Sequence, residues 1–241
     1  MADLTVVVPA YNEGGRIGPT LRRIIEYLDV KALDGELVIV IDGCTDGTLG
    51  EVIMATSGRP QVVVLDNEVN RGKGFSVRRG MLAASGRFVL FSDADLSTPI
   101  EQVESLIACL EQRGGVAIAS RALPDSNIRV RQSYWRQSMG KIFNWFVRRL
   151  ALPGIHDSQC GFKCFPREVA RQIFARQRLD RFAFDVEILW IARKLGHPVS
   201  EIPAVWVNSP QSKVRPLVDS ARMLLDLVRI RVNDWRGAYD V

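Results

Sequence analysis

Five short apolar runs dominate the first half of this 241-residue chain, and the first four end at once in polar clusters. They are LTVVV (4–8), ELVIVI (36–41), QVVVL (61–65), RFVLF (87–91) and GVAIA (115–119). Each is rich in β-branched residues and nearly continuous in its hydrophobicity, the pattern of strands covered on both faces. Between them, RIGPTLRRIIEYL repeats apolar residues at three- and four-residue steps, while GFSVRRGMLAAS and PIEQVESLIACLEQ follow glycine or proline start signals, so all three are expected to be helices. This alternation predicts an α/β fold around a mostly parallel sheet. In such sheets ligands bind beyond the carboxyl ends of the strands, so the residues just after each run are where function is sought.

Those strand ends read PAYNEGGR, DGCTDGT, NEVNRGKG and SDADLSTP. Asp93 and Asp95 are separated by one residue, so in an extended or turning segment both carboxylates can face one point and offer oxygen ligands to a hard divalent cation. The alternative is that one or both cap a helix beginning near Pro99. Arg71 and Lys73, in a glycine-flanked loop, suit phosphate oxygens, and Asp42 and Asp46 occupy a second strand end.

Composition narrows the class. With 47% hydrophobic residues, the chain is expected to form one domain. Its net charge of +5 suits an anionic ligand or surface. Cys44, Cys109, Cys160 and Cys164 make no disulfide framework, which fits a reducing compartment, and His156 and His197 are not spaced with them for a tetrahedral zinc site. Any metal should therefore be oxygen-bound. The start MADLTVVVPAYNE has no basic segment before a long apolar core, and no window reaches the roughly 18 apolar residues of a membrane span, so a soluble or peripheral protein is expected.

The second half is basic and aromatic. Residues 121 to 149 carry Arg121, Arg129, Arg131, Arg136, Lys141, Arg148 and Arg149 against Asp125, interleaved with Trp135, Phe143, Trp145 and Phe146 on an expected helix over 133–150. PLVDSARMLLDLVRIRVNDW places Leu217, Ala221, Leu224, Leu225 and Val228 at helical spacing, with arginines between. Each segment reads either as a helix packed on its own sheet or as one lying at a membrane surface. Asp185 and Glu187 are expected to serve the N-terminus of a helix or to reach the acceptor side of the cleft, and Trp190 is expected in the core. His156 and His197 read as surface or loop residues, and Cys160 and Cys164 as packing residues. A nucleic-acid role finds no recognisable module.

VVVPAYNE, VIVIDGCTDGT, NRGKG, SDADL, SRA, QSYWR and DSQCGFKCF, in this order, resemble the family 2 glycosyltransferases of the GT-A fold. Within them the chain is similar to dolichyl-phosphate glucosyltransferases and to bacterial, actinobacterial-type polyprenyl-phosphate sugar synthases, over residues 4 to 231. The resemblance implies a mostly parallel Rossmann-like sheet flanked by helices, with a nucleotide-sugar half over about 1–120 and an acceptor or membrane-facing half over about 121–241. It implies that Pro9, Tyr11, Glu13 and Asp42 hold the nucleoside, that Asp93 and Asp95 bind Mg2+ or Mn2+ on the diphosphate, and that Arg121 and Arg136 face the phosphates. Lys213, in an SK element, joins Arg71 and Lys73 as a phosphate contact, and Asp157 is the candidate catalytic carboxylate, orienting the acceptor or pairing with an arginine. Departures are Ile41 in place of the first of two aspartates, Ser97 where mannosyl relatives place Gln, and no glycine before Ser212.

The implied activity is transfer of a hexose or N-acetylhexosamine, of the Glc or GalNAc type, from a UDP-sugar to polyprenyl phosphate with inversion at the anomeric carbon. A GDP-mannose donor and a noncatalytic nucleotide-sugar-binding subunit are the alternatives. The expected location is peripheral, at the cytoplasmic face of a membrane, with a separate membrane-spanning protein as a further partner.

Overall fold

The computed structural model describes residues 2–31, 33–128, 134–207 and 216–240, with backbone alone at 134–139, 141 and 216–220. The five apolar runs form β1 (Leu4–Ala10), β2 (Gly35–Ile41), β3 (Val62–Asp66), β4 (Phe88–Ser92) and β5 (Val116–Ser120). Two further strands, β7 (Phe162–Pro166) and β8 (Val199–Pro203), complete a sheet ordered β3-β2-β1-β4-β7-β5-β8. All pairings are parallel except those of β7, which runs antiparallel between β4 and β5. A short parallel pair joins β6 (Asn127–Ile128) to β9 (Val205–Trp206).

Helices cover both faces, as parallel crossovers require. The expected helices are α1 (Ile17–Val30), α3 (Lys73–Ala83), α4 (Val103–Arg113, preceded by a 3-10 turn at Ile100–Gln102), α5 (Tyr134–Leu150) and α8 (Pro216–Trp235). The helix α7 (Phe184–Lys194) carries the acidic pair Asp185 and Glu187. Sequence reading did not mark α2 (Thr48–Thr56) or α6 (Arg167–Arg176), whose apolar stripes are short. The strands divide their side chains between two cores. Val7, Val38, Val40, Val89 and Phe91 pack with residues of α3, α5, α6, α7 and α8. Leu4, Val6, Val8, Leu37, Ile39 and Leu90 pack with residues of α1, α2 and α4. Because alternate residues enter opposite cores, a buried strand here has no polar face to show.

Tertiary contacts add three particulars. The run that became β3 is an edge strand with Val63 and Val64 partly exposed, because only β2 pairs with it. The buried stripe of α8 is Met223, Leu227 and Ile230, whereas Leu225 and Val228 face outward. Trp190, partly buried, packs against the core as expected, and the Arg231 guanidinium lies 4.9 Å from its ring centre. Among the described residues no helix is long and apolar enough to cross a membrane.

Candidate active site

The carboxyl ends of β1, β2 and β4 point the same way because these strands are parallel neighbours. After each of the first four strands the backbone turns through a left-handed residue: Asn12 (φ 53°), Gly43 (φ 63°), Glu68 (φ 60°) and Leu96 (φ 45°). Three are not glycine, and such turns persist only where surrounding contacts hold them. At Gly43 a Cβ would lie 2.3 Å from the backbone nitrogen of Asn70, so the close approach of the β3–α3 loop needs glycine there.

That loop is clamped by Asp42. Its Oδ1 accepts the Arg71 N–H and an Asn67 side-chain N–H, both at 2.8 Å, and its Oδ2 accepts the Gly72 N–H at 2.9 Å. The clamp sets Lys73 at the first position of α3, where its ammonium meets Asp93 Oδ1 at 2.6 Å. Lys73 also lies over the Phe91 ring at 5.4 Å and the Phe184 ring at 5.9 Å. Burial would lower its pKa, but Asp93 and Asp185 outweigh this and raise it, so it stays charged. The Arg71 side chain is exposed and stacks over Phe75 at 4.6 Å.

Asp93 is pinned from behind, its N–H donating to the Gly161 carbonyl at 3.0 Å. Asp95 Oδ1 accepts the Ser97 N–H at 3.0 Å, closing a tight turn rather than capping α4. Two carboxylates at one strand end fit a hard divalent cation whose remaining ligands are substrate phosphates. Among the described residues no three His, Cys, Asp or Glu side chains gather into a metal site without substrate. Pro9 is buried within β1, Tyr11 is exposed just beyond it, and Glu13 is buried, paired with Arg16 and donating its N–H to Thr48 Oγ1 at 2.7 Å.

A second group stands at the end of β5. Arg121 Nε meets Asp157 Oδ2 at 2.7 Å, one terminal NH2 meets Oδ1 at 2.9 Å, and the Arg121 main-chain N–H also donates to Oδ2 at 2.9 Å. Burial pushes the Asp157 carboxyl up, but the Arg121 charge and these hydrogen bonds outweigh it and hold it below the usual carboxylate range. Asp157 is thus an anchor for Arg121, which also lies 5.5 Å from the Trp206 ring centre. Glu201 on β8 supports the loop, accepting the N–H of Asp157 at 2.9 Å and that of His156 at 2.8 Å. Lys213 lies outside the described residues, as does the side chain of Arg136.

Sequence reading did not single out Lys163 or foresee its pairing with Asp185. Lys163 is the second residue of β7 and has no exposed surface, bonded to the Cys160 carbonyl at 2.6 Å and paired with Asp185. Burial pushes the Asp185 carboxyl up, against the pull of Lys163 and Lys73. Asp185 and Glu187 are both buried, and Glu187 accepts the N–H groups of Arg178 and Leu179 and the Tyr239 hydroxyl. The available signal was a lysine inside the apolar run GFKCF, since lysine is almost never fully buried without a partner.

Comparison with known proteins identifies the family and the fold. Residues 5–174 match the model of glycosyl transferase family 2. The dolichyl-phosphate beta-glucosyltransferase of Dictyostelium discoideum is 37% identical over 99% of this chain and 76% of its own length. The human protein of the same name is 34% identical over 98% and 77%. Glucosyl-3-phosphoglycerate synthase of Mycobacterium tuberculosis, solved with Mn2+, UDP and glucosyl-3-phosphoglycerate, shares the fold at TM-score 0.69 and 18% identity, covering 96% of this chain and 79% of that one. Mannosyl-3-phosphoglycerate synthase of Rubrobacter xylanophilus does so at TM-score 0.69 and 19% identity, covering 100% and 76%. With the family model matching residues 5–174 and with similarity over nearly the whole chain to dolichyl-phosphate beta-glucosyltransferases, this chain belongs to glycosyl transferase family 2.

Proposed function

We propose that this enzyme transfers a glucose-type hexose from a UDP-sugar to a polyprenyl phosphate, inverting the anomeric configuration. The observation that carries this reading is the similarity, over nearly the whole chain, to relatives named dolichyl-phosphate beta-glucosyltransferase. The glucosyl name of these relatives favours UDP-glucose over GDP-mannose or a UDP-N-acetylhexosamine.

In this mechanism a phosphate oxygen of the lipid attacks the anomeric carbon as the bond to the donor diphosphate breaks. The electron pair of that bond leaves with the nucleoside diphosphate. A divalent cation, Mg2+ or Mn2+, held by Asp93 and Asp95 would neutralise charge on the departing diphosphate. Lys73 and Arg121 add fixed positive charge at the same strand ends. The acceptor phosphate is already ionised near neutral pH, its second pKa being about 6, so no strong base is needed. A low-pKa Asp157 locked onto Arg121 fits that requirement, because it orients a cation rather than removing a proton.

The acceptor lies in a membrane, and α5 and α8 pack together with apolar side chains turned outward. Trp145 is 60% exposed and Trp235 86%, with Ile142, Leu225 and Val228 also exposed. Arg148, Arg149, Arg222, Arg229 and Arg236 are exposed on or just past the same helices. We assign this face to peripheral contact with anionic lipid at the cytoplasmic side of a membrane. A separate membrane-spanning protein is not required by this assignment.

The test is label transfer to polyprenyl phosphate from UDP-Glc, UDP-GalNAc, UDP-GlcNAc and GDP-Man, with Mn2+ or Mg2+, using wild type and Asp95→Ala. Metal-dependent labelling from UDP-Glc, lost in the variant, is expected. Labelling only from GDP-Man would replace the donor assignment, and UDP binding without any transfer would make the chain a noncatalytic binding subunit.

A further inference from the structure

Behind the strand-end carboxylates the charges continue inward to a pair that the transfer mechanism does not use, Lys163 and Asp185. Asp93 holds Lys73 at 2.6 Å on the solvent side, while Lys163 pairs with Asp185 on the buried side. The aromatic pair Phe91 and Phe184, with ring centres 5.7 Å apart, ties the two halves together. Lys73 lies 5.4 Å and Lys163 5.3 Å from the centre of the Phe91 ring, and Asp185 directly follows Phe184 at the start of α7. Both Lys163 and Asp185 are buried, and Asp185 acts on Lys73 as well as on Lys163.

A buried ion pair seldom increases stability over an apolar pair of similar volume, so stability alone is a weak reason for Lys163 and Asp185 to lie beneath this strand end. Position is a better one. Lys73 has one carboxylate toward solvent, Asp93, and another behind it, Asp185, so its ammonium is held from both sides, and Lys163 anchors the rear carboxylate. Gly72 and Gly74 allow this close packing, since a Cβ on either would lie within 2.6 Å of the carbonyl of Asp180 or Leu179.

We propose that Lys163 and Asp185 are positioning residues for donor binding, acting through Lys73 to hold its ammonium at the strand end where the diphosphate binds. The inference rests on reading that strand end as the donor-diphosphate site.

The test is binding of UDP with Mn2+ by calorimetry, alongside thermal unfolding, for wild type, K73M, K163M/D185L and the triple variant. The K163M/D185L pair leaves no unpaired charge in the core, so a folded protein with nearly unchanged melting temperature is expected. Its affinity for UDP–Mn2+ should fall about tenfold, and the same two changes should cost nothing further when Lys73 is already methionine. D185N, which keeps a side-chain oxygen for Lys163 and removes only the carboxylate charge, should weaken binding in the same direction and serves if the double variant does not fold. Wild-type affinity in folded K163M/D185L or D185N would overturn the proposal, as would an equal loss in the K73M background. If wild type itself does not bind UDP–Mn2+, the reading of the donor site fails instead.

Discussion

Gly161 lies directly against the Asp93 carboxylate: a Cβ at Gly161 would stand 1.9 Å from Oδ2, and the Gly161 carbonyl accepts the Asp93 N–H at 3.0 Å. The loop before β7 therefore sets the rotamer of a carboxylate that belongs to β4, and the antiparallel insertion of β7 beside β4 brings the two together.

Gly161→Ala should turn Asp93 away from its present position. Overpacking of this kind costs about 1–3 kcal/mol. Sugar transfer is expected to fall about a hundredfold, as for other losses of groups that stabilise developing charge. Urea unfolding and label transfer on the same preparation check both, and near-wild-type transfer by a folded variant would show that Asp93 tolerates displacement.

Asp157→Asn removes the charge that holds the Arg121 fork. Because 28% of the Arg121 side chain is exposed, the expected loss sits at the lower end of the ~3–5 kcal/mol seen when one partner of a buried pair is removed. The folded Asp157 carboxyl titrates below the unfolded value of about 3.9, so its stabilisation is present above that value and fades as pH falls through the folded one. The gap in unfolding free energy between wild type and D157N should stay constant from neutral pH to roughly pH 5 and shrink below about pH 4. Urea titrations across that range measure it, and a gap that widens toward acid would contradict the sign.

Burial pushes the Cys160 thiol up to about 11 and the Cys164 thiol up to about 12. At pH 8 the thiolate fraction of either is then on the order of one in a thousand or less. Mass spectrometry after brief treatment with a thiol-specific reagent should find both unmodified in native protein and both modified after denaturation. Rapid labelling of either in the native state would show that β7 opens.

Leu227 and Leu225 lie two residues apart on α8, the first buried and the second 65% exposed. Leu227→Ala should cost about 2–5 kcal/mol, the range for large core truncations. Leu225→Ala should stay within about 0.5 kcal/mol of wild type. Flotation with anionic vesicles should reverse the ranking, with L225A combined with W235A losing binding that L227A retains. Equal flotation of all variants would remove α8 from the membrane-facing surface.

The sequence by itself determined the parallel core of the sheet and the polar clusters at its carboxyl edge. Runs such as ELVIVI leave no polar face, so they must be covered on both sides, and that requirement places DGCTDGT and SDADLSTP at a shared edge without knowledge of the partners. The stretch GFKCF could not be placed the same way, because one charge in an apolar run says only that a partner exists, and that partner, Asp185, lies 22 residues further on. Tertiary structure alone decided that Asp157 serves Arg121, that Gly161 abuts Asp93, and that α8 buries Met223, Leu227 and Ile230 rather than Leu225 and Val228. The physical reason is range: strand and helix periodicity is written in neighbouring residues, whereas an ion pair or a choice between two apolar helix stripes depends on what the rest of the chain brings to that surface.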